Sequence, residues 1–92
     1  YINSQQRHEA MVMIKALKKA EEQIKVGERD IVQLKAKIRE IIATSPEAVI
    51  DYIEILNGED LSELERVSGK VLIALAVKFG KTRLIDNLLV EV

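Results

Sequence analysis

KVLIALAVKFGKTRLIDNLLVEV, residues 70–92, is the stretch that decides the fold of this chain. Its first ten residues form an apolar run, which is typical of a central strand that is covered on both faces. A short turn at Gly80 and Lys81 follows, and hairpin geometry makes the closing run more economical as a third strand than as an isolated helix. We therefore predict a β-hairpin at the end of the chain.

Arg83 and Asp86 interrupt the apolar closing run, and their relation depends on the local period. Residues three positions apart share a face in a helix but point to opposite sides of a strand. The apolar residues around them fit both periods, so this run alone leaves both structures open.

The first helix is predicted from its two ends and its apolar period. Asn3 and Gln6 have the capping-box spacing that starts a helix, and Gly27 can end one in the left-handed conformation. Charged side chains lie largely outside the apolar stripe between these ends. The predicted stripe consists of Ala10, Ile14, Leu17, Ala20 and Ile24.

A second helix is predicted to follow after a few residues. Asp30 and Gln33 repeat the capping-box spacing, and Pro46 marks the stop. Two helices with so short a connection form an antiparallel hairpin, which needs a further surface to bury its remaining apolar side chains. The stripe of the second helix consists of Ile31, Leu34, Ile38, Ile41 and Ile42.

Residues 48–56, AVIDYIEIL, alternate well and are rich in β-branched side chains, so they are predicted to form the first strand. The predicted faces are Val49, Asp51, Ile53 and Ile55 on one side, and Ile50, Tyr52, Glu54 and Leu56 on the other. Residues 57–69 are predicted to be a crossover connection with one helical turn around Leu61 and Leu64. The predicted fold is therefore α+β, with an N-terminal helical hairpin packed on a small, mainly three-stranded antiparallel sheet.

Length and composition indicate a single soluble domain over residues 1–92, with 48% hydrophobic and 32% charged residues. The absence of cysteine excludes disulfides and thiolate zinc sites, and one histidine leaves little for an imidazole site. No apolar run approaches the roughly 18 residues that span a membrane. We expect a cytoplasmic location, and the lack of a starting methionine and of a leader leads us to expect a piece of a longer protein.

The charge distribution argues against a dedicated nucleic-acid binder. Residues 1–43 carry nine Lys/Arg against six Asp/Glu, and residues 44–92 carry five against nine, which gives +3 and −4 and the overall −1. Nucleic-acid binders normally show a basic face with interleaved aromatic side chains, whereas aromatic residues make up 3% of this chain.

Two motifs resemble catalytic or nucleotide-binding sites, but each has a simpler interpretation. Gly80, Lys81 and Thr82 match the end of a phosphate-binding P-loop, yet the glycine required five residues earlier is replaced by Leu75, so a hairpin turn is favoured. His8 has no second histidine and no recognisable nucleophile beside it, which favours a surface histidine over a general base.

Clusters of charge on the predicted elements have equally simple interpretations. Lys15, Lys18 and Lys19 have acidic side chains within helical pairing distance, which favours a solvated face over a phosphate site. Asp51 and Glu54 are predicted to point to opposite faces of the first strand, so they cannot form a catalytic carboxylate pair.

Four segments, in order and spacing, carry a resemblance to a known family. They are YINSQQRHEA at residues 1–10, GERDI at 27–31, IDYIEI at 50–55 and LAVKFGKTRLIDN at 75–87. Together they resemble the C-terminal domain of the pantothenate synthetase (pantoate–β-alanine ligase) family, and the resemblance covers essentially the whole chain.

The resemblance implies an ATP- and Mg²⁺-dependent, AMP-forming acid–amine ligase as the full-length protein. Such an enzyme condenses pantoate with β-alanine through a pantoyl-adenylate, in pantothenate and coenzyme A biosynthesis. Its N-terminal nucleotide-binding domain, absent here, carries the HIGH-type motif, the substrate pockets and a Ser-Ser-Arg-Asn loop just upstream of the position of Tyr1. The resemblance also implies a homodimer.

Residues 1–92 would then be the lid domain of a two-domain ligase, acting together with its own N-terminal domain. The resemblance assigns no catalytic, cofactor-binding or metal-binding residue to this chain, so the isolated chain is expected to be inactive. It also favours a strand over residues 82–91, which would place Arg83 and Asp86 on opposite sides. Each would need its own partner, and we expect Asp86 to accept hydrogen bonds from the backbone or from a basic residue on another element.

Two other function classes remain open at the level of sequence. A free-standing interaction module would use the helical hairpin to bind a partner, and would expose a large apolar patch. A nucleic-acid binder would use the lysines of both helices, and its binding would depend strongly on salt.

Overall fold

Two helices precede a three-stranded antiparallel sheet in the computed structural model, which describes residues 4–92. The elements are α1 (Ser4–Lys25), α2 (Ile31–Ile42), β1 (Ala48–Asn57), β2 (Lys70–Phe79) and β3 (Thr82–Glu91), and the strand order is β1-β2-β3. The predicted α+β fold and the central position of β2 are confirmed. The N-cap predicted at Asn3 lies outside the described residues.

The end of α1 is formed at Gly27, as predicted. Gly27 has φ of 111°, in the region that favours glycine, and its amide donates to the carbonyl of Ile24 at 3.1 Å. The next amide, of Glu28, donates to the carbonyl of Gln23 at 2.8 Å, which completes a Schellman motif. The guanidinium of Arg29 also donates to the Ile24 carbonyl, at 2.7 Å. The carbonyls of Gln23 and Ile24 in the last turn of α1 are therefore satisfied, and the chain can reverse.

Asp30 caps α2, as the sequence predicted. Its Oδ1 accepts hydrogen bonds from the amides of Val32 at 2.8 Å and Gln33 at 3.4 Å. These bonds satisfy two of the amides that a helix start leaves without intrahelical partners. The helix ends at Ile42, before Pro46.

The buried side of α1 matches the predicted stripe in the second half of the helix and differs from it in the first half. Leu17, Ala20 and Ile24 are buried as expected, and Ala10 is half-buried, but Ile14 is exposed. Val12, Met13 and Ala16 are buried there instead, so the apolar spacing alone misplaced the buried face in the first half of the helix. In α2, Leu34, Ile38 and Ile42 are fully buried, while Ile31 and Ile41 pack against the core from its margin.

The sheet has one covered face. Alternate residues of β2 are buried beneath the helices, namely Val71, Ile73, Leu75, Val77 and Phe79. The prediction that β2 is covered on both faces is wrong for the described residues, because both helices lie on the same side. Gly80 and Lys81 form a two-residue hairpin turn, with Phe79 paired to Thr82 and φ of 61° at Gly80, as expected for that turn.

A β-bulge at Asp51 breaks the alternation of β1. Ile50 pairs with Val77 and Tyr52 pairs with Ala76, so Asp51 is an extra residue without a partner on β2. Ala48 and Ile50 face the helices before the bulge, whereas Ile53 and Ile55 do so after it. The predicted face that combined Val49, Asp51, Ile53 and Ile55 is therefore wrong.

The connection between β1 and β2 contains no helical turn around Leu61 and Leu64, contrary to the prediction. The carboxylate of Asp60 accepts from the hydroxyl of Ser62 at 2.7 Å and from its amide at 3.0 Å, and these bonds lower the pKa of Asp60 below its usual range. Leu61 has φ of 62°, which is incompatible with a right-handed helix. Because β1 and β2 are antiparallel neighbours, this segment is a long hairpin loop rather than a crossover.

Candidate functional site

A group of polar side chains with mutual contacts lies at the end of the sheet formed by the β2–β3 turn. We call Asp51, Tyr52, Lys78 and Arg83 the hairpin cluster. The Arg83 Nε and Nη2 atoms each lie 2.8 Å from Asp51 Oδ2, and the guanidinium carbon lies 6.0 Å from the centre of the Tyr52 ring. The ring contact is at the outer limit for a cation–π interaction, so Asp51 is the main partner of Arg83.

The bulge in β1 is what brings this cluster together. Val49, Lys78 and Arg83 form one cross-strand row on the face of the sheet that is turned away from the helices. The extra residue in β1 lets Asp51 reach the same face, where it meets Arg83. An open cleft of about 480 Å³ lies at this point, lined by Val49, Ile50, Asp51, Lys78 and Arg83.

The chemistry available to the hairpin cluster is recognition of charge. Two cationic side chains face one carboxylate, which leaves Lys78 as a cation able to meet an acidic group. The side chains of Arg83 and Asp51 are 47% and 50% exposed, so solvent weakens their attraction and the pair contributes at most about 1 kcal/mol. The cluster contains no serine, cysteine or histidine. Its arrangement therefore suits positioning of a partner at the surface.

Arg83 and Asp86 lie on opposite faces of β3, as expected for a strand. Arg83 pairs in register with Lys78 on the outer side, and Asp86 pairs with Leu75 on the side of the helices. Asp86 borders a small groove of about 150 Å³ between α1 and β3. Its Oδ1 accepts from the amide of Asn87 at 2.8 Å. The expectation that Asp86 accepts from the backbone is confirmed.

The hydrogen bond of Asp86 also covers part of the free edge of the sheet. Alternate residues of an antiparallel edge strand direct their amides away from the neighbouring strand, and the amide of Asn87 is one of these on β3. An uncovered edge amide is a template for pairing with another chain. Asp86 therefore occupies one of the edge amides at the middle of β3.

Asp86→Ala is expected to lower the free energy of unfolding by about 0.5–1.5 kcal/mol, because the Asn87 amide loses its acceptor. Chemical denaturation followed by circular dichroism measures this change. Asp86→Asn, which keeps an acceptor oxygen, is the matched control and should lose less. Equal losses in the two variants would contradict the assigned hydrogen bond.

The other residues singled out in the sequence do not assemble into a site. His8 is exposed on α1, and Gly80 and Lys81 form the hairpin turn and not a phosphate-binding loop. Lys15 and Lys18 are exposed on α1, and Lys19 is half-buried. Asp51 and Glu54 share the outer face because of the bulge, so the prediction of opposite faces is wrong.

Sequence reasoning missed Glu9, which lies on the buried side of α1 and is 4% exposed. Its Oε1 accepts from the side-chain amide of Gln5 at 3.3 Å, whereas its Oε2 is buried and has no hydrogen-bond partner in the described structure. Glu9 lies four residues before Met13, so it shares a helix face with a fully buried core residue. That spacing was the available signal for its burial.

Two features are absent from the described part of the chain. Within residues 4–92, no three side chains of the His, Cys, Asp or Glu type are grouped closely enough to hold a metal ion. No helix in this range is long and apolar enough to cross a membrane. The prediction that the chain carries no catalytic or metal-binding residue stays a prediction.

Comparison with known proteins gives a consistent set of relatives. Residues 1–89 match the family model described as pantoate-beta-alanine ligase. The chain is 61% identical over 92 residues to pantothenate synthetase of Syntrophomonas wolfei and 47% identical over 92 residues to that of Acetivibrio thermocellus. Each match covers 100% of this chain but 33% of the relative, so the chain spans about a third of the length of these curated relatives.

A solved structure shows the same fold. A crystal structure of pantothenate synthetase from Thermus thermophilus superposes with a TM-score of 0.83 at 28% sequence identity. The match covers 96% of this chain and 32% of that chain. The arrangement of two helices and three strands therefore occurs as about a third of a larger protein.

Proposed function

This chain belongs to the pantoate–β-alanine ligase family, and from that premise we propose that it is the C-terminal lid domain of a pantothenate synthetase. The observation that carries the proposal is the extent of the match. The whole of this chain matches 33% of its relative from Syntrophomonas wolfei, as a single domain of a larger enzyme would. In the proposed enzyme, the pantoate carboxylate attacks the α-phosphorus of ATP and displaces pyrophosphate, which gives the pantoyl-adenylate. The β-alanine amine then attacks the acyl carbon and displaces AMP.

The proposed contribution of residues 1–92 is physical rather than chemical. An acyl-adenylate is hydrolysed by water, so a domain that covers the mouth of the active site protects the intermediate. The same domain aligns the segment that precedes α1, since a rotation of that helix moves the chain tethered to its start. The proposed partner is the chain's own N-terminal nucleotide-binding domain, in a cytoplasmic, homodimeric enzyme that serves coenzyme A biosynthesis.

ATP and Mg²⁺ belong, in this proposal, to the preceding nucleotide-binding domain. The described acidic residues do not group into a set of ligands for a divalent cation. We therefore assign no step of the chemistry to a metal held by residues 4–92. The isolated chain is expected to form no pantothenate when supplied with all three substrates.

Disruption of α1 in the full-length ligase tests the lid role. Ala16 is fully buried in α1, and Ala16→Pro removes a helical hydrogen bond and displaces the helix. We expect pantoate-dependent exchange of pyrophosphate into ATP to fall on the order of 10²-fold, because misalignment of the reacting groups carries losses of that size. Lys18→Ala, at an exposed position of the same helix, is the matched control.

The test of the lid role measures adenylate formation and not the overall rate of pantothenate formation. The folding of the N-terminal domain in Ala16→Pro is verified by its retained affinity for ATP. Normal adenylate formation in a variant with α1 displaced would overturn the lid role. A free-standing interaction module built on the helical hairpin remains the alternative, and it predicts that the isolated chain binds a partner through α1 and α2.

A further inference from the structure

The face of the sheet that is turned away from the helices, here called the outer face, has no covering element among residues 4–92. Its rows follow from the register: Val49, Lys78 and Arg83; Tyr52, Ala76 and Ile85; Glu54, Ala74 and Asn87; Leu56, Leu72 and Leu89. Three large apolar side chains on this face are more than half exposed, namely Val49 at 65%, Ile85 at 58% and Leu89 at 57%. The uncovered face of an antiparallel sheet is ordinarily polar and solvated, so large exposed apolar side chains on it indicate an interaction surface.

The middle of the outer face carries small side chains on the central strand. Ala76 has no exposed surface and Ala74 is half-buried, and the flanking strands contribute larger residues. A row of three leucines, one from each strand, lies near one end of the face. The apolar side chains available to a partner are therefore the larger ones of the flanking strands, Val49, Ile85 and Leu89.

Polar residues lie at both ends of the outer face and on its flanking strands. The hairpin cluster, with Lys78, Arg83 and Asp51, borders one end, and the cross-strand pair of Lys70 and Glu91 borders the other. Glu54 and Asn87 lie on the flanking strands between the two apolar rows. This mixture fits a protein interface, because such interfaces are on the whole only about as apolar as the rest of a protein surface.

The surface formed by the helices lacks this organisation. Its exposed large apolar residues are dispersed, with Met11 and Ile14 on one part of α1 and Val26 and Val32 near the connection to α2. Charged side chains occupy much of the helical surface between them. Dispersed apolar residues are normal on a solvated surface.

We propose that the outer face of the sheet docks against the part of the ligase chain that precedes residue 1, so that the domain closes with its sheet, and not its helices, towards that part. This inference rests on the proposed function. The occupant follows from length, since the matched relative from Syntrophomonas wolfei is about three times as long as this chain and the match covers only 33% of it. The remaining two thirds of such a ligase are linked covalently to this domain. They are therefore present at a high effective concentration next to its apolar face.

Cysteine footprinting of the full-length ligase tests the docking surface. This chain has no native cysteine, so single cysteines can be placed on either surface and located by peptide mass mapping. Ile85→Cys and Leu89→Cys report on the outer face, and Val26→Cys and Val32→Cys are controls on the helical side, where Val26 and Val32 are 78% and 69% exposed. Each maleimide labelling rate is divided by the rate for the same variant in denaturant.

The outer-face cysteines are expected to be labelled at least about tenfold more slowly than the controls, which corresponds to an opening equilibrium of about 1.4 kcal/mol. Equal rates on the two surfaces would overturn the proposal. Protection that disappears on dilution would also overturn it, because a second copy of the chain would then be the occupant. Pantothenate formation by the unmodified ligase is measured separately. Absence of this activity would contradict the proposed function, whereas equal labelling rates would contradict only the proposed docking surface.

Discussion

Leu75→Ala is expected to lower the free energy of unfolding of the 92-residue chain by about 2–5 kcal/mol. Leu75 lies in the middle of the central strand, is fully buried, and is paired with Ile53 on one side and Asp86 on the other. Truncation there leaves a cavity between the sheet and the helices that neither neighbouring strand can close without breaking its register. A chain of this length has a total stability of only about 5–14 kcal/mol, so the loss is a large part of it.

Thermal unfolding followed by circular dichroism measures this effect, and the melting temperature is expected to fall by roughly 8–40 °C. Leu72→Ala is the matched control, because it makes the same substitution on the same strand but on the outer face, where Leu72 is only half-buried. The control should lose clearly less stability than Leu75→Ala in the isolated chain. Equal losses would mean that the two faces of β2 are equally buried, and would contradict the one-sided sheet.

The helices and the terminal hairpin could be predicted because their signals are local. Asp30 and Gly27 act within a few residues of their own positions, so capping rules were sufficient to place the connection between the helices. The turn at Gly80 and Lys81 is likewise set by its own two residues. Once β3 is a strand, the opposite orientation of Arg83 and Asp86 follows without further information.

The bulge at Asp51 could not be predicted, because it is decided by pairing with Ala76 and Val77 on a strand that comes much later in the chain. Residues 48–55 contain no glycine or proline that would mark an irregularity in the strand, yet both halves of β1 must place β-branched side chains under the helices. Ile50 meets this requirement opposite Val77, and Ile53 meets it opposite Leu75, which is possible only if one residue between them is left unpaired. The partner of Arg83 depends on that extra residue, so the hairpin cluster was also beyond sequence reasoning.

The loop between β1 and β2 was mispredicted for a different reason. The spacing of Leu61 and Leu64 matches one turn of a helix, but a single turn gains little from its own hydrogen bonds. The bonds from Ser62 to Asp60 and the contact of the Val67 amide with the Arg29 carbonyl at 3.0 Å fix another conformation. The weak helical tendency indicated by the spacing of Leu61 and Leu64 is therefore overcome by hydrogen bonds that fix the loop in another conformation.

Glu9→Met is expected to raise the free energy of unfolding of the isolated chain by about 1–2 kcal/mol, against the usual rule that core substitutions destabilise. The Oε2 of Glu9 is buried and lacks a hydrogen-bond partner within residues 4–92, so folding removes it from water without compensation. Methionine has a similar length, is apolar and is a good helix former. The substitution forfeits only the long bond from Gln5, at 3.3 Å, to the other carboxyl oxygen.

Two control variants separate the causes in urea denaturation at pH 7. Glu22→Met makes the same exchange at an exposed position of α1 and should change stability by less than about 0.5 kcal/mol. Glu9→Ala removes the orphan oxygen but leaves a cavity, so it should be less stable than Glu9→Met. If Glu9→Met lowered the free energy of unfolding by more than about 1 kcal/mol, the carboxyl group would have a hydrogen-bond partner in solution. The conclusion that its burial destabilises the fold would then be wrong.

The same substitution has the opposite expected sign in the full-length ligase if a donor from the preceding segment reaches Glu9. Glu9 lies in the second turn of α1, close to the point at which that segment joins the helix. Comparison of Glu9→Met in the isolated chain and in the ligase therefore measures a coupling that neither protein reveals alone. Stabilisation of the isolated chain together with a lower melting temperature of the ligase would identify Glu9 as a contact between α1 and the segment preceding it. Stabilisation of both proteins would show that the carboxyl group of Glu9 only destabilises the fold, and that no donor from the preceding segment reaches it.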